Sequence, residues 1–140
     1  MSNWLSKSIN SFAIANNAGL SVFNDNRVHC FYYGCVQLLK HVVLNNFNGM
    51  DVEQVENECN PKKKPENKGT HQYLKLKIKE DLNNRSERLV SVDFNSKLLA
   101  LQNLRTKADY GIDNISQLEI ENAKQYSDLI NNTLNKFYKI

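Results

Sequence analysis

Residues Phe94 to Gly111, FNSKLLALQNLRTKADYG, constrain the fold of this chain more than any other stretch. On a helix, Phe94, Leu98, Leu101 and Ala108 share one side, because their spacings match the helical repeat. Such a stripe needs other helices to cover it. Arg105 falls within the stripe, and Asp109 follows one turn later on the same side. A charge facing a core is costly unless a partner and hydrogen bonds compensate it. An exposed Arg-to-Asp pair at this spacing contributes only ~0.2–0.5 kcal/mol, too little to explain an inward cation. Arg105 and Asp109 are therefore candidates for a functional centre. The structural alternative is an arginine that snorkels to the end of a bundle. Tyr110 and Gly111 come next, and Gly111 is expected to end the helix in the left-handed conformation.

The remaining patterns are also helical. A first helix is predicted from about Asn3 to Asn17, with Leu5, Ile9, Phe12 and Ala13 on one face. Leu20 to Phe23 is a short connector, and Asp25 or Asn26 is expected to cap a second helix reaching Asn46. Its stripe of Val28, Phe31, Tyr32, Cys35, Leu39 and Val42 is broad, with Cys30, Tyr33 and Leu44 beside it, which places it centrally. Gly34 within this helix permits close approach of a neighbour. Residues 47–69 read as a flexible loop carrying an acidic turn at Asp51 to Glu58, then Lys62, Lys63, Lys64 and Lys68. Thr70 caps a third helix over His71 to Asn83. Tyr73 to Lys79 alternates like a strand, but Leu74, Ile78 and Leu82 keep a helical step. Asp93 is the expected cap of the organising helix. Ser116 and Glu119 form a capping box for the last one, which turns Ile120, Ala123, Ile130, Leu134 and Phe137 inward.

A chain of 140 residues suits one domain with its own core, here residues 1–140. Net charge is +3, a weak basic footprint that does not single out a dedicated nucleic-acid binder. Cys30, Cys35 and Cys59 are odd in number and lack paired spacing, which argues against a disulfide framework and makes cytoplasm the expected compartment. His29, His41, Cys30 and Cys35 scatter around their helix, so core packing is preferred to a metal site, and no metal or other cofactor is expected. No apolar run reaches the ~20 residues of a membrane span.

Set in order, HCFYYGCVQLLKHVV, GTHQYLKLKI and LRTKADYG resemble the HEPN superfamily of small helical bundles. The nearest likeness is to bacterial members with a Tyr-Tyr pair and an Arg-x-x-Ala-Asp-Tyr signature, and it covers Trp4 to Phe137. The resemblance implies an all-α, antiparallel bundle of four to five helices that works as a homodimer. It also implies a role in toxin–antitoxin, phage-defence or stress systems, often beside a small nucleotidyltransferase-type antitoxin. Active members are metal-independent ribonucleases that pair an arginine with a histidine separated from it by four to six residues. Arg105 takes the arginine position, but Tyr110, Gly111 and Ile112 occupy the histidine window. RNA cleavage through a 2′-hydroxyl needs a proton acceptor near neutrality, a role suited to imidazole and not to an ordinary phenol. His71 or His29 can fill that role only if the fold brings one of them to Arg105.

The favoured expectation is an RNA-, nucleotide- or partner-binding HEPN-like module without standard ribonuclease activity. Arg105, Asp109 and Tyr110 are its candidate catalytic centre, and Lys75, Lys77, Lys79 and Arg105 its candidate nucleic-acid contacts. The alternatives are an active ribonuclease toxin with an atypical centre and a purely structural helical interaction protein.

Overall fold

The computed structural model describes residues 3–47, 51, 53, 55, 57 and 69–140. Most of the 47–69 loop expected from the sequence, including Lys62, Lys63, Lys64 and Lys68, lies outside the described residues. Within them the chain forms α1 (Asn3–Ala15), a 3-10 turn (Ala18–Phe23), α2 (Asn24–Asn46), α3 (Thr70–Asn84), α4 (Arg88–Tyr110) and α5 (Gln117–Phe137). No strand occurs among the described residues, and no helix among them is long and apolar enough to cross a membrane. The alternating Tyr73 to Lys79 segment is helical, with Leu74, Ile78 and Leu82 buried.

The whole expected stripe of α2 is buried, and α2 packs against each of the other helices. Two of these neighbours, α1 and α4, run against it. Arg27 meets Ala15, Gly34 meets Ser8 and Lys40 meets Trp4, so α1 is antiparallel to α2. His29 with Asp109 and Tyr33 with Arg105 give the same sense for α4. Arg27 is a buried cation that sequence reading passed over. Its Nε donates to the Ala15 carbonyl at 2.8 Å, which closes the C-terminal end of α1.

Gly34 has the role its position suggests. A Cβ there would lie 2.7 Å from the Phe12 ring, so only glycine lets α1 sit this close. The same contact corrects the expected face of α1. Ser8 is buried and bonds the Gly34 carbonyl at 2.8 Å, and Ser11 bonds Gln37 at 2.8 Å. With these serines turned towards α2, Ile9 and Ala13 face outwards while Leu5 and Phe12 remain partly buried.

Several helix ends also differ from expectation. α2 begins at Asn24, and Asp25 accepts the Ile115 amide at 2.8 Å instead of capping its own helix. α4 begins at Arg88, so Asp93 lies inside it, 3.8 Å from Lys97. Gly111 is extended (φ −75°, ψ 156°), not left-handed. It is glycine because a Cβ would lie 2.5 Å from the Lys107 carbonyl oxygen. The Ser116–Glu119 capping box forms as expected, and Lys107 grips Glu119 at 2.8 Å. That lysine, with the Ser116 amide, holds the Glu119 carboxyl below its ordinary pKa. In the acidic turn, Val55 is buried and its N–H bonds the Asp51 carbonyl at 3.0 Å.

The link from α3 to α4 is a Schellman turn. Glu87 N–H bonds the Leu82 carbonyl and Ser86 N–H bonds that of Asn83, each at 3.0 Å. Ser86 supplies the required positive φ, 63°, which glycine adopts without strain. Ser86→Gly is expected to stabilise the fold by ~0.5–1 kcal/mol in urea unfolding, after allowing for the greater freedom of glycine in the unfolded chain.

Candidate functional site

His29 and Tyr33 are one turn apart on α2, as Arg105 and Asp109 are on α4. The antiparallel packing of these helices brings the two pairs together. Asp109 lies 2.9 Å from Arg105 Nε through one oxygen and 3.3 Å from His29 Nδ1 through the other. The Arg105 N–H is not aimed along the first contact, so the pair touches as charges and Nε has no hydrogen-bond partner among the described residues. Arg105 Nη2 donates to the Tyr33 hydroxyl at 3.1 Å. The guanidinium carbon also lies 5.7 Å from the centre of the Tyr32 ring and 5.5 Å from that of Tyr33, within cation–π range.

His71, in the first turn of α3, completes the cluster. Its Nδ1 is 2.9 Å from the Tyr32 hydroxyl, and its ring meets both tyrosines edge-on. Burial, reinforced by the positive charge of Arg105 and Lys40, pulls the His71 pKa below its ordinary value. Burial likewise pushes the Tyr32 phenol up to about 12, so it keeps its proton. Arg105 and Asp109 are 22% and 25% exposed at their side chains, and His29 is 44% exposed. The cluster is therefore partly wet, unlike a sealed core ion pair.

A groove of about 480 Å³ opens where α2, α3 and α4 meet. Tyr32, Val36, Leu39 and Leu98 make its floor apolar. Thr70, His71, Gln72, Lys75 and Gln102 give it a polar rim with one cation. Arg105 does not line the groove; it lies behind Tyr32, which does, and behind Tyr33, which contacts the lining residue His71. An apolar floor with a few convergent polar groups is the usual form of a small-ligand site.

The fold thus joins Arg105 and Asp109, sets His29 directly against Asp109, and brings His71 to the two tyrosines that Arg105 contacts. Tyr110 is 77% exposed at the end of α4. The three α3 lysines are not all on one side: Lys77, two positions from each of the others, turns away from Lys75 and Lys79. Lys75 lines the groove, Lys77 lies over the Tyr73 ring at 5.5 Å, and Lys79 is exposed. Gln72 and Gln102 carried no signal in the sequence, because a rim amide has no spacing of its own. Cys35 is a core residue. It is fully buried, 3.8 Å from the Ser127 hydroxyl, and burial pushes its thiol up to about 12. No metal-type group of three or more His, Cys, Asp or Glu occurs among the described residues.

No protein-family model matches this chain, and no curated protein or solved structure does either. The likeness to HEPN proteins rests on sequence motifs and their spacing.

The depressed His71 pKa has a measurable consequence. The native state holds this ring neutral, so the unfolded chain binds the extra proton first. Stability is complete above the unfolded pKa of ~6.5 and falls as the pH drops through it towards the folded value. Burial lowers the His41 pKa as well and adds to the loss in the same direction. His71→Asn keeps an acceptor near the Tyr32 hydroxyl without a titrating ring. Urea unfolding at about pH 7.5 and 5.0 should show a smaller acid loss in this variant than in wild type.

Proposed function

We propose that this chain is an HEPN-like module that binds RNA or a nucleotide through phosphate at the cluster of Tyr32, Tyr33, His71 and Arg105. One observation carries this reading: residues from three separate stretches of sequence meet beside one groove. Tyr32 and Tyr33 come from α2, His71 from α3, and Arg105 with Asp109 from α4. Lys75 and His71 on the rim suit a phosphate, and the apolar floor suits the flat face of a base. The module works as a homodimer or beside a nucleotidyltransferase-type partner in a toxin–antitoxin or defence system. Leu89, Val92 and Leu99 on the outer face of α4 are the apolar surface such assembly would cover.

The direct experiment is fluorescence anisotropy with a short single-stranded RNA between about 50 and 200 mM salt. Affinity should fall with a log–log slope of about −0.7 for each phosphate neutralised, and Lys75→Ala should make the slope shallower by about that amount. Flat affinity across the series, or a Lys75→Ala slope equal to wild type, would contradict the proposal.

A second reading is an active ribonuclease, and the placement of His29 and His71 favours it. They bring imidazoles to the partners of Arg105, His29 to Asp109 and His71 to Tyr33, where the positions after Arg105 in sequence have none. Metal-independent cleavage through the 2′-hydroxyl would leave 2′,3′-cyclic phosphate ends; intact RNA after prolonged incubation would exclude it.

A further inference from the structure

We infer that Tyr32 and Asp109 hold the two imidazoles of the cluster in opposite tautomers, so that His71 presents an Nε2–H donor and His29 an Nε2 lone pair to a ligand bearing a hydroxyl beside a phosphate. The inference rests on the phosphate-binding reading above and gives that site a chemical polarity.

His29 is fixed by its partner. An ionised carboxylate can only accept, so in the neutral ring the Nδ1 facing Asp109 at 3.3 Å must carry the proton. The lone pair is then left on Nε2. The Arg105 guanidinium on the other Asp109 oxygen keeps that carboxylate in place.

His71 is fixed by burial. The Tyr32 hydroxyl is 2.9 Å from Nδ1, and this is its one hydrogen-bond partner among the described residues. Either group can donate in principle. If His71 donated, the Tyr32 O–H would be left without a protein acceptor in a residue only 2% exposed. A buried unpaired donor is the more costly arrangement. The phenol therefore donates, Nδ1 accepts, and the His71 proton sits on Nε2.

Both rings also contact Tyr33, with centroids 4.3 Å from it for His29 and 5.7 Å for His71. Tyr33 is itself held by the Arg105 hydrogen bond. The donor-bearing and the acceptor-bearing imidazole thus both pack on one tyrosine ring. A hydroxyl beside a phosphate, as in the 2′-hydroxyl and 3′-phosphate of a ribonucleotide, matches that polarity: the phosphate oxygen accepts from His71 and the hydroxyl donates to His29. Tyr32 and Asp109 act through the histidines and are positioning residues.

The test is two-bond ¹⁵N–¹H correlation NMR on the whole ¹⁵N-labelled protein, at a pH where both rings are neutral. His71 should show the Nε2–H pattern and His29 the Nδ1–H pattern. Tyr32→Phe should move the His71 Nδ1 resonance and leave the His29 tautomer unchanged. Asp109→Ala should release His29 into a mixture. Methyl spectra of Leu101 and Leu134 in the core report whether each variant is folded. Adenosine 3′-monophosphate should then shift Nε2 of both rings, and its 2′-deoxy analogue only that of His71. A proton on His71 Nδ1 or His29 Nε2 in the wild type overturns the inference, while phosphate binding at Lys75 can still stand. Correct tautomers with no response to either nucleotide remove the ligand assignment and count against the phosphate-binding reading itself.

Discussion

Arg105→Ala is expected to lower unfolding stability by about 2 kcal/mol and leave the protein folded. Removing one partner of a sealed ion pair costs ~3–5 kcal/mol, because a charge is left uncompensated in a dry interior. Here both side chains are about a quarter exposed, and the Nε contact to Asp109 is misaligned, so screening reduces that figure. The loss that remains has two further sources. One is the charged hydrogen bond to the Tyr33 hydroxyl at 3.1 Å. The other is the attraction of the guanidinium to the two tyrosine rings, ~0.5–1 kcal/mol at a partly exposed site. Asp109→Leu alone should cost less, since Arg105 keeps Tyr33. Arg105→Met with Asp109→Leu should cost less than the sum of the two singles, by about 1 kcal/mol. Additive losses would mean that the pair is not coupled.

The second large effect lies far from the site. Gly34→Val should destabilise the protein by about 3 kcal/mol, measured as a shift of the urea midpoint. A Cβ at this position meets three Phe12 ring atoms, at 2.7, 2.9 and 2.9 Å, and the valine methyls need still more room. α1 must move away, which also stretches the Ser8 hydroxyl bond to the Gly34 carbonyl. The greater helix propensity of valine over glycine, a few tenths of a kcal/mol, is too small to offset this. Phe12→Ala empties the contested space. The double variant should therefore be more stable than the sum of the singles implies. Additivity here would show that the α1–α2 spacing is not set by this contact.

These two regions also show how far the sequence could be read. The stripes of α2, α3, α4 and α5 were legible because each is a run of large apolar residues at helical spacing, and burial follows size and polarity directly. α1 misled because its inward face uses serines. Ser8 is buried since a glycine backbone on α2 offers it a carbonyl, and nothing in the spacing of α1 reveals that. Gly111 was identified as the end of α4, but its reason is close contact with the Lys107 carbonyl and not handedness.

The site divides the same way. Arg105 and Asp109 stood out because a charge within an apolar stripe needs an explanation. The roles of His29 and His71 required knowing how α2, α3 and α4 pack, since each histidine meets its partner far along the chain. The lysines of α3 illustrate the converse. Lys75, Lys77 and Lys79 were expected as joint nucleic-acid contacts, whereas a helix puts Lys77 on the side opposite the other two, and of the three only Lys75 lines the groove.

The most direct measurement of whether ligand sits at this cluster is the affinity of wild type and Arg105→Ala for one short single-stranded RNA, at low salt, with both proteins shown to be folded. Loss of the guanidinium should weaken binding by about tenfold or more, equivalent to ~1.4 kcal/mol. A folded Arg105→Ala that binds the RNA as tightly as wild type would contradict the placement of the site.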